Sequence, residues 1–217
     1  MIDRLRALRS DLFSAGFGPA ELAPFAALLD QATEPFDRFR YRPGHITGSA
    51  FVSHPSLRAV ALVHHDKLDL WVQPGGHVEP GDESVETGAR REVTEEVGLV
   101  DLQPRGIVDV DVHLFPERAP QPRHLHYDVR YAFEAGDDRL VAGDGVRQVR
   151  WVPLDEALGM DESVARAVRR MAALLTAPSP SSSATTVISP VGCSIGRARR
   201  EPEPQERPAS PAHGTSW

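Results

Sequence analysis

Leu5, Leu8, Leu12 and Phe13 recur at helical spacing near the start of the chain, and the run of Gly16, Phe17 and Gly18 interrupts them ahead of Pro19. Apolar residues three and four apart line one helix face, so this spacing predicts a first helix there and a second over residues 20–31. The period then shortens. Residues 46–52 and 57–64 are rich in aliphatic side chains and are separated by a Ser-His-Pro-Ser turn, the pattern of two strands. Leu68, Leu70 and Val72 form a further short apolar segment. Val108, Val110, Val112 and Leu114 alternate with Asp109, Asp111 and His113, as a half-buried strand requires. In the next strand Leu125, Tyr127, Val129 and Tyr131 alternate with His124, His126, Asp128 and Arg130, so four polar side chains share one face. Residues 146–152 read as a final strand, followed by helices near 155–158 and 162–175. Val164, Val168, Met171 and Leu175 fall on one side of the last helix.

Between these strands lies the segment 75–99, GGHVEPGDESVETGARREVTEEVGL. Its first half, with Gly75, Gly76, Pro80 and Gly81, is loop, because glycine admits positive φ and proline fixes its own. A helix begins near Glu83 or Ser84, with Val85, Ala89, Val93 and Val97 forming an apolar ridge. Glu92, Glu95 and Glu96 stand at i, i+3 and i+4, which gathers three carboxylates into one narrow arc. Like charges at that spacing cost a few tenths of a kcal/mol per pair. A hard divalent cation taking oxygen ligands, Mg²⁺ or Mn²⁺, turns the repulsion into binding. The competing reading is a solvated helix face with Arg90 and Arg91 as counter-charges.

The segment resembles the Nudix box, G-x5-E-x7-R-E-U-x-E-E-x-G-U, where U is aliphatic. Glu83, Arg91, Glu92, Val93, Glu95, Glu96, Gly98 and Leu99 fall in place, whereas His77 occupies the expected glycine position and the actual glycines come one and two residues early. The loop is therefore one residue longer than the pattern. The acidic position is Glu83 counted from the helix and Asp82 counted from the glycine. Helical register is rigid and a Gly/Pro loop absorbs an extra residue at small entropic cost, which favours Glu83.

The resemblance implies a Nudix-type α/β/α sandwich around a mixed sheet, and hydrolysis of a phosphoric anhydride in a nucleoside diphosphate linked to another moiety. It also implies Glu92, Glu95 and Glu96 as ligands of Mg²⁺ (or Mn²⁺), with Glu96 or Glu95 as general base. Arg91 would orient the carboxylates, Glu83 would be the accessory acid, and Gly76 would let backbone approach the phosphates, with His77 beside it. One or more of His113, His124 and His126 is expected to line the substrate cleft, since histidine donates to phosphate or shuttles protons. His124-x-His126 also has the spacing of transition-metal ligands, but a zinc site needs more of them, no cysteine can contribute, and His113 and Asp128 are the candidate additions, so a structural or phosphate-facing role is preferred to zinc. Trp71 is expected to pack at the base of the loop. The alternative is a Nudix-like nucleotide sensor or interaction domain without turnover; three mutually repelling carboxylates are little use to a pure binder. An isoprenoid diphosphate isomerase would want a reactive cysteine, and Cys193 lies far from the box.

The 217 residues suit one domain with extensions: a helical extension over 1–43, the hydrolase domain over 44–176, and a disordered Pro/Ser/Arg-rich tail over 177–217. The extension is read as packing surface or the face of a homodimer. A formal net charge of −7 argues against a general nucleic-acid partner, while leaving small phosphorylated molecules open. With Cys193 the single cysteine, a disulfide framework and a multi-cysteine zinc site are excluded. Charges spread through the first residues leave no apolar run for a secretory signal or membrane span, so the expected location is cytoplasmic.

Overall fold

The computed structural model describes residues 2–66 and 69–176, all within one compact unit. Leu68, Cys193 and the expected tail over 177–217, with Arg197, Arg199 and Arg200, lie outside the described residues.

In chain order the elements are α1 (Ile2–Ser14), α2 (Pro19–Gln31), β1 (Gly44–Ser53), β2 (Ala59–His65), β3 (Leu70–Val72), β4 (Gly75–His77), α3 (Val85–Val97), β5 (Leu102–Phe115), β6 (His124–Ala135), β7 (Val146–Pro153), α4 (Leu154–Ala157) and α5 (Glu162–Thr176). The seven strands form one sheet in the order β3-β2-β1-β6-β5, with β4 joining β1 and β7 joining β2. β1 is the middle of this arrangement and is buried at every position. It runs parallel to β6 from Gly44↔Leu125 to Ser53↔Glu134, while its pairs with β2 and β4 are antiparallel, so the sheet is mixed.

β1 is buried on both faces without being an apolar run: His45, Thr47, Ser49 and Ser53 alternate with Ile46, Gly48, Ala50 and Val52. On one face Ile46, Ala50 and Val52 pack with Val85, Ala89, Val93 and Val97 of α3, and with Leu8, Leu12, Phe25, Leu28 and Leu29 from α1 and α2. On the other, Phe51, Val60, Leu62, Ala132 and Val152 meet Val164, Ala167, Val168 and Met171 of α5. The α/β/α sandwich is thus the observed architecture. Gly48 sets its closeness: a Cβ there would lie 2.9 Å from the Val85 carbonyl oxygen, so α3 rests directly on β1.

Three expectations shift. Leu57 sits in the turn with φ of 58°, and β2 starts at Ala59. Phe13 is 84% exposed instead of joining the ridge of α1. β5 begins at Leu102, well before the alternating stretch, because register shifts between Pro104 and Gly106 and between Ile107 and Asp109 break its period of two. Trp71, expected at the base of the loop, packs against the α5-side core, with the Arg150 guanidinium 4.5 Å above its ring.

Candidate active site

The ends of α3 are fixed locally. Ser84 caps the helix, its hydroxyl accepting from the Thr87 backbone N–H at 3.1 Å while Thr87 Oγ1 accepts from the Ser84 N–H at 2.8 Å. Gly98 closes the other end in the left-handed region, φ 76°, which suits a residue without Cβ. Glu83 therefore falls outside the helix.

Within α3 Glu92 and Glu96 turn toward the glycine loop. The Gly75 N–H donates to Glu96 Oε2 at 3.0 Å. A Cβ on Gly76 would lie 2.5 Å from Glu92 Oε1, so the missing side chain is what lets this carboxylate reach the strand backbone. Arg91 Nη1 donates to Glu92 Oε1 at 3.0 Å and to Glu95 Oε2 at 2.9 Å, tying the arc together. Burial raises the carboxyl of Glu92, and repulsion from Glu95 and Glu79 adds to that against the pull of Arg91. Glu96 is pushed up to about 7 by burial, with Glu92 and Glu95 contributing and the Gly75 N–H opposing. The one guanidinium beside Glu92 does not offset the burial and crowding of these two carboxylates, and a hard cation with oxygen ligands is what the donor set fits.

Of the two candidate acids, Asp82 is the one that pairs with Arg91. Arg91 Nε donates to Asp82 Oδ1 and Nη2 to Oδ2, each at 3.2 Å, and the Glu79 N–H donates to Oδ2 at 2.7 Å. Asp82 is 7% exposed, whereas Glu83 points to solvent. The Gly/Pro loop folds back on itself at Glu79, which delivers the earlier of the two acids to the guanidinium. Arg91 Nη2 also donates to the His77 carbonyl at 2.9 Å, and Arg4 of α1 donates to the carbonyls of Glu79, Pro80 and Asp82. The helical extension thus braces the loop.

Two of the three expected histidines are buried among other imidazoles. His124 and His126 are 3% and 8% exposed, and they pack with His45, which is fully buried, and with His77. His113 touches this group from its edge, its ring 5.4 Å from that of His126, and it remains exposed with Nδ1 3.1 Å from Asp111 Oδ2. Burial, reinforced by the neighbouring imidazoles, lowers His77 to about 3 and His126 to about 2, so both are neutral. Sequence reasoning missed His45. Its signal was the polar alternation His45, Thr47, Ser49, which the parallel register sets beside His126, Asp128 and Arg130. Thr47 and Ser49 both donate to Asp128, and Arg130 joins Asp128, Asp109 and Asp111 at 3.0 to 3.1 Å.

An α/β/α sandwich that sets a carboxylate-bearing helix against a glycine loop on its central strand defines an architectural class, and comparison with known proteins identifies it. The NUDIX domain family matches residues 47–175, more than half of the 217. A solved NUDIX family hydrolase from Clostridium perfringens is 21% identical and covers 60% of this chain and 95% of its own, with a TM-score of 0.46. The NUDIX domain of Shewanella oneidensis NrtR, solved with ADP ribose, is 19% identical over 71% and 99% of the two chains, TM-score 0.46. The C. elegans Ap4A hydrolase binary complex is 16% identical over 60% and 96%, TM-score 0.44. The chain belongs to the Nudix family, and this places it among the pyrophosphohydrolases, enzymes acting on acid anhydrides. Among the described residues no helix is long and apolar enough to cross a membrane.

Proposed function

We propose that the protein hydrolyses the diphosphate linkage of a nucleoside diphosphate joined to another moiety, using Mg²⁺ (or Mn²⁺) held by Glu92, Glu95 and Glu96, in the cytoplasm. The observation that carries this reading is the convergence of Glu92 and Glu96 on the Gly75-Gly76 backbone, with Glu96 pushed up to about 7 by burial and by its acidic neighbours. When bound, the cation supplies the charge that offsets the diphosphate and makes an attacking water more acidic. Arg91 orients Glu92 and Glu95, and Asp82 in turn orients Arg91. Glu96 or Glu95 takes the proton of the attacking water at a carboxylate oxygen. Gly76 contributes by having no Cβ between its backbone and Glu92. His124 and His126 are withdrawn from the substrate by burial, and exposed His113 keeps that role.

The test is a panel of nucleoside diphosphate sugars, ADP-ribose, dinucleoside polyphosphates and damaged nucleoside triphosphates, assayed with Mg²⁺ for phosphate or nucleotide release. Turnover of at least one class is expected in the native chain, with loss in Glu95→Gln and Glu96→Gln variants that retain native circular dichroism. Turnover retained in both variants refutes the carboxylate assignment, and none with any substrate favours the ligand-sensing alternative.

A further inference from the structure

The imidazole cluster takes no part in this chemistry, and its geometry has a separate meaning. His45 and Thr47 alternate with Ile46 and Gly48 along β1, so the cluster projects from the face opposite α3. The register of the sheet assembles it: His45 lies beside His126 in the parallel β1–β6 pair, and His77 lies across from Thr47 in the β1–β4 pair. One ring nitrogen from each of His45, His77 and His126 falls within 4.8 Å of the others.

The tautomers sharpen this. His45 Nδ1 lies 3.1 Å from the Arg40 carbonyl and His124 Nδ1 lies 2.7 Å from the Pro122 carbonyl. A carbonyl only accepts, so both Nδ1 atoms carry the proton and both Nε2 atoms present a lone pair. His45 Nε2 is buried, on a residue with no exposed surface, and has no hydrogen-bond partner among the described residues. A buried lone pair left without a partner carries the full cost of its lost hydration and calls for one. His124 Nε2 is 3.1 Å from His126 Nε2. Ligands of a tetrahedral cation with a Zn–N bond of ~2.0–2.1 Å sit about 3.4 Å apart, so the nitrogens of His45, His77 and His126, within 4.8 Å of one another, need only draw together to meet round a cation. Carbonyls that fix the far ring nitrogen are the usual supports of metal-ligating histidines.

We propose that His45, His77 and His126 form a binding site for a divalent transition-metal cation, Zn²⁺ by the chemistry of its imidazole ligands, distinct from the carboxylate site on α3. Neutral nitrogen donors suit Zn²⁺ and its neighbours and disfavour Mg²⁺, which demands oxygen. His124 stands alongside as a further imidazole. On binding, the proton of His126 moves to its other ring nitrogen and no electron transfer is involved. The cation joins β1, β4 and β6 and pins His77, the residue directly after Gly76. The site thus holds the loop that presents Gly75 and Gly76 to the carboxylates.

The experiment uses the full tag-free chain, stripped with chelator and titrated with Co²⁺ and Zn²⁺. Expected are one equivalent of Co²⁺ with the visible d–d bands of nitrogen coordination, displacement by Zn²⁺, and a Zn²⁺-dependent rise of several degrees in the unfolding midpoint. The bands are expected to survive in the Glu92→Gln/Glu96→Gln double variant and to vanish in His126→Ala. Because His126 is buried, His77→Ala, at a less buried position, serves as the second variant with the same expected loss. Absence of Co²⁺ bands and of any Zn²⁺ shift in the native chain overturns the proposal. So does their persistence in His77→Ala, or their loss in the glutamine double variant alone.

Discussion

Replacing Gly76 with alanine isolates the position of one carboxylate from the stability of the fold. The added Cβ would stand 2.5 Å from Glu92 Oε1, 2.8 Å from Cδ and 3.0 Å from Oε2. Ordinary contact begins near 3.4 Å, so the carboxylate must retreat by about 0.9 Å. It is the far end of a flexible side chain, so the backbone need not yield. Removing a glycine from the unfolded chain returns about 0.4–1 kcal/mol, and net stability should stay within about 1 kcal/mol of the native protein. Activity should not be spared, because a displacement of about 1 Å in a positioned group costs on the order of 10²-fold in rate. The assay pairs kcat with a urea unfolding curve: a fall of about 10²-fold in kcat is expected at near-unchanged stability. A kcat within twofold of native would refute the claim that Glu92 must sit against the loop backbone. Gly75→Ala is the contrast, since its Cβ would meet Ser49 Cβ at 2.3 Å and Cα at 2.6 Å and force β4 off β1.

The choice between the two acids can be measured by stability alone. Asp82→Ala strips Arg91 of a nearly buried partner and should cost about 3 kcal/mol in urea unfolding. Glu83→Ala, at an exposed position, should change stability by less than about 0.5 kcal/mol, and the reverse order would return the accessory role to Glu83. Proton and cation compete for Glu96, whose folded value of about 7 lies above the ordinary 4.5. The folded state thus holds this proton more tightly than the unfolded chain, and the stability it contributes is full below about pH 4.5 and lost as pH rises through about 7. Mg²⁺ relieves that loss, so its stabilising shift in thermal melts should be larger near pH 8 than near pH 6. A shift that shrinks with pH would contradict the placement of the cation at Glu96.

How far the sequence carried depends on the range of each interaction. The α3 register was legible because Val85, Ala89, Val93 and Val97 and the three glutamates obey one helical period, and the capping residues Ser84 and Gly98 bound it. The strands were legible where one face is polar, as in β6, and less so in β5, whose bulges interrupt the alternation. The pairing of Asp82 with Arg91 was not legible because it depends on a turn closed by the Glu79 N–H, and loop closure has no periodicity to read. The imidazole cluster was legible only in its His124-x-His126 spacing, for a different reason. His45 and His126 come together through the parallel pairing of strands far apart in sequence, which single-strand patterns do not encode.

The central claim is that the carboxylates of α3 hold the hydrolytic cation, and Mn²⁺ titration followed by electron paramagnetic resonance tests it most directly. The native chain is predicted to deplete the free Mn²⁺ signal and to hydrolyse its substrate with Mn²⁺ present. The Glu92→Gln/Glu96→Gln variant is predicted to lose both while remaining folded. Mn²⁺ binding and turnover that persist together in that variant would contradict the account.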